Sequence, residues 1–251
     1  MRITTWNVNS IRRRLDAVLR WTATNRPDAL CLQETRCVDT LFPRDAFRSI
    51  GYAAAAVGQP GYNGVAVLVR GGTVDARIQP VWPRDPDSRA IGVTLGGVRV
   101  VNVYVPYGEA VGTARFEAKV RWLRRLERLM GETRPTVVTG DFNVAPDDRD
   151  VYDPRRRNET LICSTRERRA FGRLLKTGYV DAFRQKEDTG GHFTWWSHRS
   201  GAVEGNRGLR VDHHLVDKNL AQRIRKVEID VDERRRPGAS DHAPVTLTLR
   251  M

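Results

Sequence analysis

Eight polar side chains stand where apolar stretches of this chain stop: Asn7, Glu34, Tyr104, Asp141, Asn143, Asp212, Asp241 and His242. Together they bring carboxylates, carboxamides, a phenol and an imidazole, with no cysteine among them. Carboxylate oxygens without thiolates suit a hard cation, Mg2+ or in its place Mn2+. Such an ion neutralises a phosphate and stabilises a leaving oxygen. A base for water and neutral donors to the phosphoryl oxygens complete what phosphodiester hydrolysis needs.

The densest part of the set is Gly140-Asp141-Phe142-Asn143, which closes the β-branched run Val137-Val138-Thr139. That run reads as a buried strand over 136–141. On an extended backbone positions i and i+2 share a side. Asp141 and Asn143 are therefore expected to aim at one spot beyond a strand end. By the same rule Asn7 and Asn9 share a face at the end of a strand expected over residues 2–8.

The other members need positioning elements of the same kind. Ala29-Leu30-Cys31-Leu32 is a short buried strand, and Gln33-Glu34-Thr35 follows at its tip. Gly96-Gly97 gives a hairpin signal into a strand over 98–105. Pro106 stops that strand because it lacks a donor, which leaves Tyr104 at the end. Further strands are expected over 64–69, 74–82, 89–95, 209–216, 224–231 and 243–249. Helical spacing covers 11–25 after a Ser10 cap, 113–131, and 165–177 from a cap at Ser164 or Thr165. Residues 38–50 read as irregular or helical. Strands interspersed with helices, and close enough for hairpins, argue one domain over residues 1–251 with more than one mixed sheet and outer helices.

Composition narrows the partner. Lys and Arg number 43 against 30 Asp and Glu, a formal charge of +13 over 251 residues. That excess favours polyanions, nucleic acid first and an anionic membrane surface second. No apolar run is long enough to span a bilayer, and the N-terminus lacks a signal-peptide shape. A cytoplasmic protein is the expectation. Cys31, Cys37 and Cys163 form no metal-type spacing and are expected as free thiols.

Seven segments then occur in order: Trp6-Asn7-Val8-Asn9, Leu32-Gln33-Glu34-Thr35, Asn102-Val103-Tyr104-Val105-Pro106, Gly140-Asp141-Phe142-Asn143, Trp195-Trp196, Leu209-Arg210-Val211-Asp212 and Ser240-Asp241-His242-Ala243-Pro244. The set resembles the bacterial-type exonuclease III family of abasic-site endonucleases, from Arg2 to Leu249. The resemblance implies an α/β fold, a four-layer α/β sandwich of two mixed β-sheets packed face to face and flanked by helices (the DNase I-like fold). It implies Mg2+-dependent cleavage of double-stranded DNA 5′ to an abasic site, in base excision repair. Exonuclease activity in the 3′→5′ direction and 3′-phosphatase or phosphodiesterase action on blocked 3′ ends come with it, from a monomer with no membrane attachment. By resemblance Glu34 is the main metal ligand, with Asn7 and Asp241 near the ion and Asp141, Asn143 and His242 around it. Asp141 orients or deprotonates water, Asn143 donates to the phosphate, and Tyr104 contacts the phosphate or leaving group through a phenol acidified by the metal. His242 faces the phosphate and is oriented by Asp212. Either Asp141 or His242 takes the proton, and one or two ions fit equally. Trp195, Leu209 and Val211 match the lining of a pocket for a base-less sugar, one tryptophan of the pair going to the core. Asn9, Arg155 and Arg156 complete the expected substrate contacts.

Two departures stand out. Tyr107 occupies a position where relatives carry an amide, so it is expected to stack on DNA or shield the rim. Ser197-His198-Arg199 replaces the usual Asp-Tyr-Arg, and His198 and His213 are expected to be structural. The runs Arg155–Arg157 and Arg234–Arg236 flank motif segments and are expected to contact DNA phosphates. An inositol-phosphate or sphingomyelin phosphodiesterase would share the polar set but not the charge or the Tyr-Val-Pro strand end. A DNA-binding protein with a degenerate site would lack a motif residue, and none is missing.

Overall fold

The computed structural model describes residues 1–71, 79–80, 87–133, 137–199 and 201–251. In chain order the elements are β1 (Arg2–Asn7), α1 (Ile11–Asn25), β2 (Ala29–Gln33), α2 (Arg44–Ser49), β3 (Tyr52–Val57), β4 (Val65–Arg70), β5 (Gln79–Pro80), β6 (Ala90–Leu95), β7 (Val98–Tyr104) and α3 (Ala114–Thr133). They continue with β8 (Val137–Asp141), α4 (Pro154–Arg157), α5 (Thr165–Lys176), β9 (Tyr179–Asp181), β10 (Trp195–Trp196), β11 (Gly208–Leu209), β12 (Asp212–Asp217), α6 (Lys218–Ala221), β13 (Ile224–Ile229), α7 (Val231–Arg235) and β14 (Val245–Leu249).

Two six-stranded sheets carry the site, in the orders β13-β14-β1-β2-β4-β3 and β5-β6-β7-β8-β12-β9. Each is antiparallel apart from one central parallel pair, β1 with β2 and β7 with β8. A parallel pair needs a crossover, supplied by α1 in the first sheet and α3 in the second. Ile3, Cys31, Val67, Val100, Val137, Val216 and Leu247 form the dry layer between the sheets. Trp6, Leu30 and Leu32 face outward onto Val18 and Trp21 of α1. Val101, Val103 and Val138 face outward onto α3 and α5. The four layers are thus helix, sheet, sheet, helix.

The period of two decides what points inward. Ile3, Cys31, Val100 and Val137 are interior, so Asn7, Gln33, Tyr104 and Asp141 are too, at the last turns of their strands. Polar groups trapped there must find partners. Gln33 Nε2 donates to Asn102 Oδ1 at 2.6 Å, and Asn102 Nδ2 donates to the carbonyls of Leu32 and Ala66, both at 2.9 Å. This is a hydrogen-bonded seam between the sheets. Gly140 is obligatory: its φ is +146°, and a Cβ there would overlap the Val103 carbonyl of β7.

Most expected elements are found within a residue or two. α5 starts at Ser164, whose side chain forms a capping box with Glu167. The expected strand over 209–216 is instead two. Gly208–Leu209 pairs with Trp195–Trp196 in a separate ribbon, and Asp212–Asp217 joins the main sheet beside β8. At the bend Arg210 is buried with its guanidinium on the carboxylates of Asp150 and Asp181. The expected strand over 224–231 ends at Ile229, and Asp230 caps a short helix. Most of the strand expected over 74–82 lies outside the described residues. Two strands, Tyr52–Val57 and Tyr179–Asp181, carry no period that the sequence reading used. The three cysteines are free and buried, and no helix of the described residues is long and apolar enough to cross a membrane.

His214 sits in the inter-sheet layer with Nδ1 2.8 Å from Thr139 Oγ1 and Nε2 3.0 Å from the Val245 carbonyl. The carbonyl only accepts, so Nε2 carries the proton and Nδ1 accepts from the hydroxyl. Burial lowers its pKa from 6.5 to about 4. Below pH 6.5 the unfolded chain takes up a proton that the folded one refuses, so stability falls until pH 4 and is complete above 6.5. Urea unfolding of the wild type between pH 6.5 and 4 is expected to show an extra loss of about 3 kcal/mol relative to His214→Gln.

Candidate active site

The inward positions meet at one edge of the sandwich. The parallel strands β1, β2, β7 and β8 deliver Asn7, Glu34, Tyr104 and Asp141 at their C-terminal ends. Their antiparallel neighbours β12 and β14 begin there, contributing Asp212 and the preceding Asp241-His242. Register places Tyr104 and Asp212 on either side of Asp141.

The Asn7 amide joins the sheets. Its Nδ2 donates to Glu34 Oε1 and to Asp141 Oδ2, both at 2.9 Å, while its Oδ1 accepts from the Asn9 backbone at 3.0 Å. Tyr104 donates its phenol to Glu34 Oε1 at 2.9 Å. Arg36 binds Glu34 Oε2 through Nε at 3.0 Å and Nη2 at 2.5 Å. Burial works against the Glu34 charge, but the Asn7 amide and Arg36 outweigh it and hold the carboxyl below its ordinary range.

Asp141 ends β8, and the chain does not stay extended to Asn143. Asn143 has a φ of +49°, so its place beside Asp141 comes from a side-chain-capped turn and not from strand alternation. Asp141 Oδ1 accepts from the Asn143 backbone at 2.9 Å, and Asn143 Nδ2 donates to the Val105 carbonyl at 2.9 Å. The expected convergence holds, with a different backbone cause.

Asp212 Oδ2 lies 2.9 Å from His242 Nδ1, and His242 Nε2 faces Asp141 Oδ2 at 3.9 Å. Burial alone would lower the imidazole pKa, but Asp212, then Asp141 and Asp241, raise it to about 10. Burial, with Asp212 adding to it, pushes Asp141 up to about 7. Burial also pushes the Tyr104 phenol well above its ordinary value, with Glu34 and Asp141 contributing. The protein's own groups therefore oppose phenol acidification. Asp241 accepts from Asn9 Nδ2 and Trp195 Nε1, both at 3.0 Å. Burial opposes its charge, yet His242 and these donors bring it to about 2.

The ligand atoms of Asp141, Asp212 and His242 all lie within 4.8 Å of one another, close enough to hold a metal ion. Asp212 Oδ1 is buried with no hydrogen-bond partner, an acceptor that an ion or water would satisfy. Oxygen donors without thiolate fit a hard divalent cation.

Beside this edge lies a cavity of about 750 Å³ lined by Tyr107, Tyr152, Arg156, Trp195, Arg207 and Leu209 among others. Trp195 lines it while Trp196 is buried in the core, dividing the pair as expected. Val211, expected in the lining, is 2% exposed and packs in one apolar cluster with Leu209, Ile162, Cys163 and Trp195. Tyr107 is 54% exposed at the rim. Arg155 and Arg156 project from α4 and are exposed.

The run Arg234–Arg236 divides: Arg234 is buried, whereas Arg235 and Arg236 have side chains 58% exposed. Arg234 is buried and donates to the carbonyls of Trp196 and Ser197 at 3.2 and 3.4 Å, while Arg235 pairs with Asp232 and Arg236 with Glu233. His213 is structural, buried with Nδ1 on Arg210 and Nε2 on the Val144 carbonyl, both at 2.9 Å. His198 is exposed, 3.8 Å from Asp241.

Several supporting cations went unassigned in the sequence reading. Arg210 is 1% exposed and binds Asp150 through Nε at 2.6 Å and Nη2 at 3.1 Å, with Asp181 at 2.8 Å. Lys119 of α3, fully buried, donates to the Asn143 carbonyl at 2.6 Å, to the Tyr107 carbonyl at 3.1 Å and to Glu167. Arg89 stacks over the Tyr104 ring, 4.8 Å from its centroid. A signal existed for Lys119: it falls between Phe116 and Leu123 on the apolar face of α3.

Fold and strand-end cluster together define a phosphoester hydrolase. The chain belongs to the endonuclease/exonuclease/phosphatase family, whose model matches residues 4–242. It is similar to exodeoxyribonuclease III of Haemophilus influenzae, 33% identical over 98% of both chains, and to an exodeoxyribonuclease of Bacillus subtilis, 31% identical over the full length of both. Among solved structures it resembles a 3′-5′ exonuclease from Neisseria meningitidis, with a TM-score of 0.95 and 40% identity over all of both chains. An AP endonuclease from Archaeoglobus fulgidus matches with a TM-score of 0.94 and 33% identity, again over all of both chains. The protein is a nuclease of this family.

Arg210 carries a prediction of its own. Replacing it by Met removes the main cation from two buried carboxylates, leaving Asp150 to Arg184 and Asp181 to His213, and urea unfolding is expected to show a loss of about 3 kcal/mol. Lysine, a point charge, is not expected to restore the bidentate bridge.

Proposed function

We propose that the chain, acting as one domain over residues 1–251, hydrolyses the DNA backbone on the 5′ side of abasic sites and trims blocked 3′ ends, with Mg2+ as its ion. The observation that carries this reading is the position of the Asp141–Asp212–His242 cluster next to a cavity walled by Trp195, Leu209 and Tyr107 and flanked by arginines. Aromatic walls such as Trp195 and Tyr107 accept a flipped sugar that has no base, and the arginines around them meet phosphates. The similar Neisseria 3′ phosphatase has been captured with a product DNA hairpin, and the Archaeoglobus structure is an AP endonuclease. A net charge of +13 suits the same polyanion.

Glu34 and Asp141, tied by the Asn7 amide, would hold Mg2+ with Asp241 and Asp212 near by. The ion, when bound, neutralises the phosphate and stabilises the leaving oxygen. The chain's own groups supply the rest. His242, oriented by Asp212 at 2.9 Å, stands where its Nε2 can donate to a phosphoryl oxygen. Asp141, 3.9 Å from His242 Nε2, is the group that orients the attacking water. Asn143 donates from its amide, and Tyr104 sits beside the leaving group.

Two measurements test the reading. A duplex with one abasic analogue is expected to be incised 5′ to the lesion with Mg2+ and left intact in chelator, while a 3′-phosphate end is removed under the same conditions. Full incision in chelator would exclude the metal reading. For the DNA contact, Arg156→Gln is expected to lower the slope of log affinity against log salt by about one. An unchanged slope would remove Arg156 from the interface.

A further inference from the structure

A carboxylate offers about four acceptor positions, and Glu34 has them all filled. Oε1 takes Asn7 Nδ2 and the Tyr104 hydroxyl, both at 2.9 Å. Oε2 takes Arg36 Nε at 3.0 Å and Nη2 at 2.5 Å. As it stands, Glu34 cannot give an oxygen to a cation without losing a donor.

The donors differ in how readily they leave. Asn7 is fully buried and shared with Asp141, so moving it would also unmake the link between the sheets. Tyr104 is 8% exposed, its ring under the Arg89 guanidinium. Arg36 is different. Its side chain is 35% exposed. Its backbone is anchored separately, in the left-handed region at φ +51° with N–H to the Asn63 carbonyl at 2.9 Å. The guanidinium can swing into water with no backbone movement.

We propose that Arg36 is a cationic placeholder on the metal ligand: it occupies Oε2 of Glu34 until a divalent cation takes that oxygen, and so sets the affinity of the site for its ion. This rests on reading Glu34 as a metal ligand. The device keeps a largely buried carboxylate, its side chain 16% exposed, paired at every stage, since an unpaired one is costly. It also means that every ion bound must first break a charge-assisted fork of two hydrogen bonds.

The test is titration calorimetry of the full chain with Mg2+ and Mn2+, for wild type, Arg36→Met, Arg36→Lys and Glu34→Gln, each checked for folding by circular dichroism. Arg36→Met is expected to bind the ion about tenfold more tightly, the scale of one partly screened charge pair. Arg36→Lys is expected to fall between, and Glu34→Gln to lose binding. In wild type, the NMR signal of the Arg36 Nε–H is expected to move on ion addition. Equal or weaker binding by Arg36→Met, with Glu34→Gln still abolishing it, overturns the placeholder and leaves the metal site standing. Binding unaffected by Glu34→Gln, or no ion binding by wild type, overturns the metal reading of Glu34 itself.

Discussion

One carboxamide, that of Asn7, donates to a carboxylate from each sheet. Glu34 comes from the tip of β2 and Asp141 from the end of β8, and they approach one another in a buried place. Two negative charges do not gather there unaided. The neutral donor between them spreads their charge and fixes the gap, and much else follows from holding it. The sheets must lie face to face, the strands must end at a common edge, and the layer behind must be dry. Gln33 and Asn102 repeat the device one step deeper, where no charge is involved.

The charges around this link are balanced by groups that themselves need anchoring. His242 is kept cationic by Asp212, and Arg36 covers the outer oxygen of Glu34. Behind them, buried cations tie the irregular segments to the sheets. Lys119 holds the Asn143 and Tyr107 backbones together, and Arg210 holds the loop carrying Asp150 to the entry of β12. Loops are the mobile parts of a fold, and here they are pinned by pairs that water does not screen. Such pairs add less to stability than they subtract when broken. Their value lies in keeping one geometry.

The strand ends were legible because the inward period of two stops in polar residues, and because seven short segments fall in one order. The same logic located Tyr104, Asp141 and Asp212 on one face. It misjudged the backbone at Asn143, where a side-chain cap makes a turn, and it carried one strand through Arg210. Local alternation holds no information about a buried guanidinium whose partners, Asp150 and Asp181, are distant in sequence. Arg234, buried against the carbonyls of Trp196 and Ser197, was missed for a related reason. Charge is visible in a sequence, but the acid or carbonyl that answers it is a tertiary fact.

The register of sheet one has a consequence for synthesis. Strand β1 is paired on one side with β2 and on the other with β14, more than two hundred residues later. Asn7 and Glu34 emerge early from a ribosome, while His242 and the strand that seats it emerge late. Contacts so far apart in sequence form slowly and last. A growing chain therefore carries only part of the hydrolytic set, and the nuclease is assembled when β14 closes the sheet. The complete site thus depends on a strand made late in the chain.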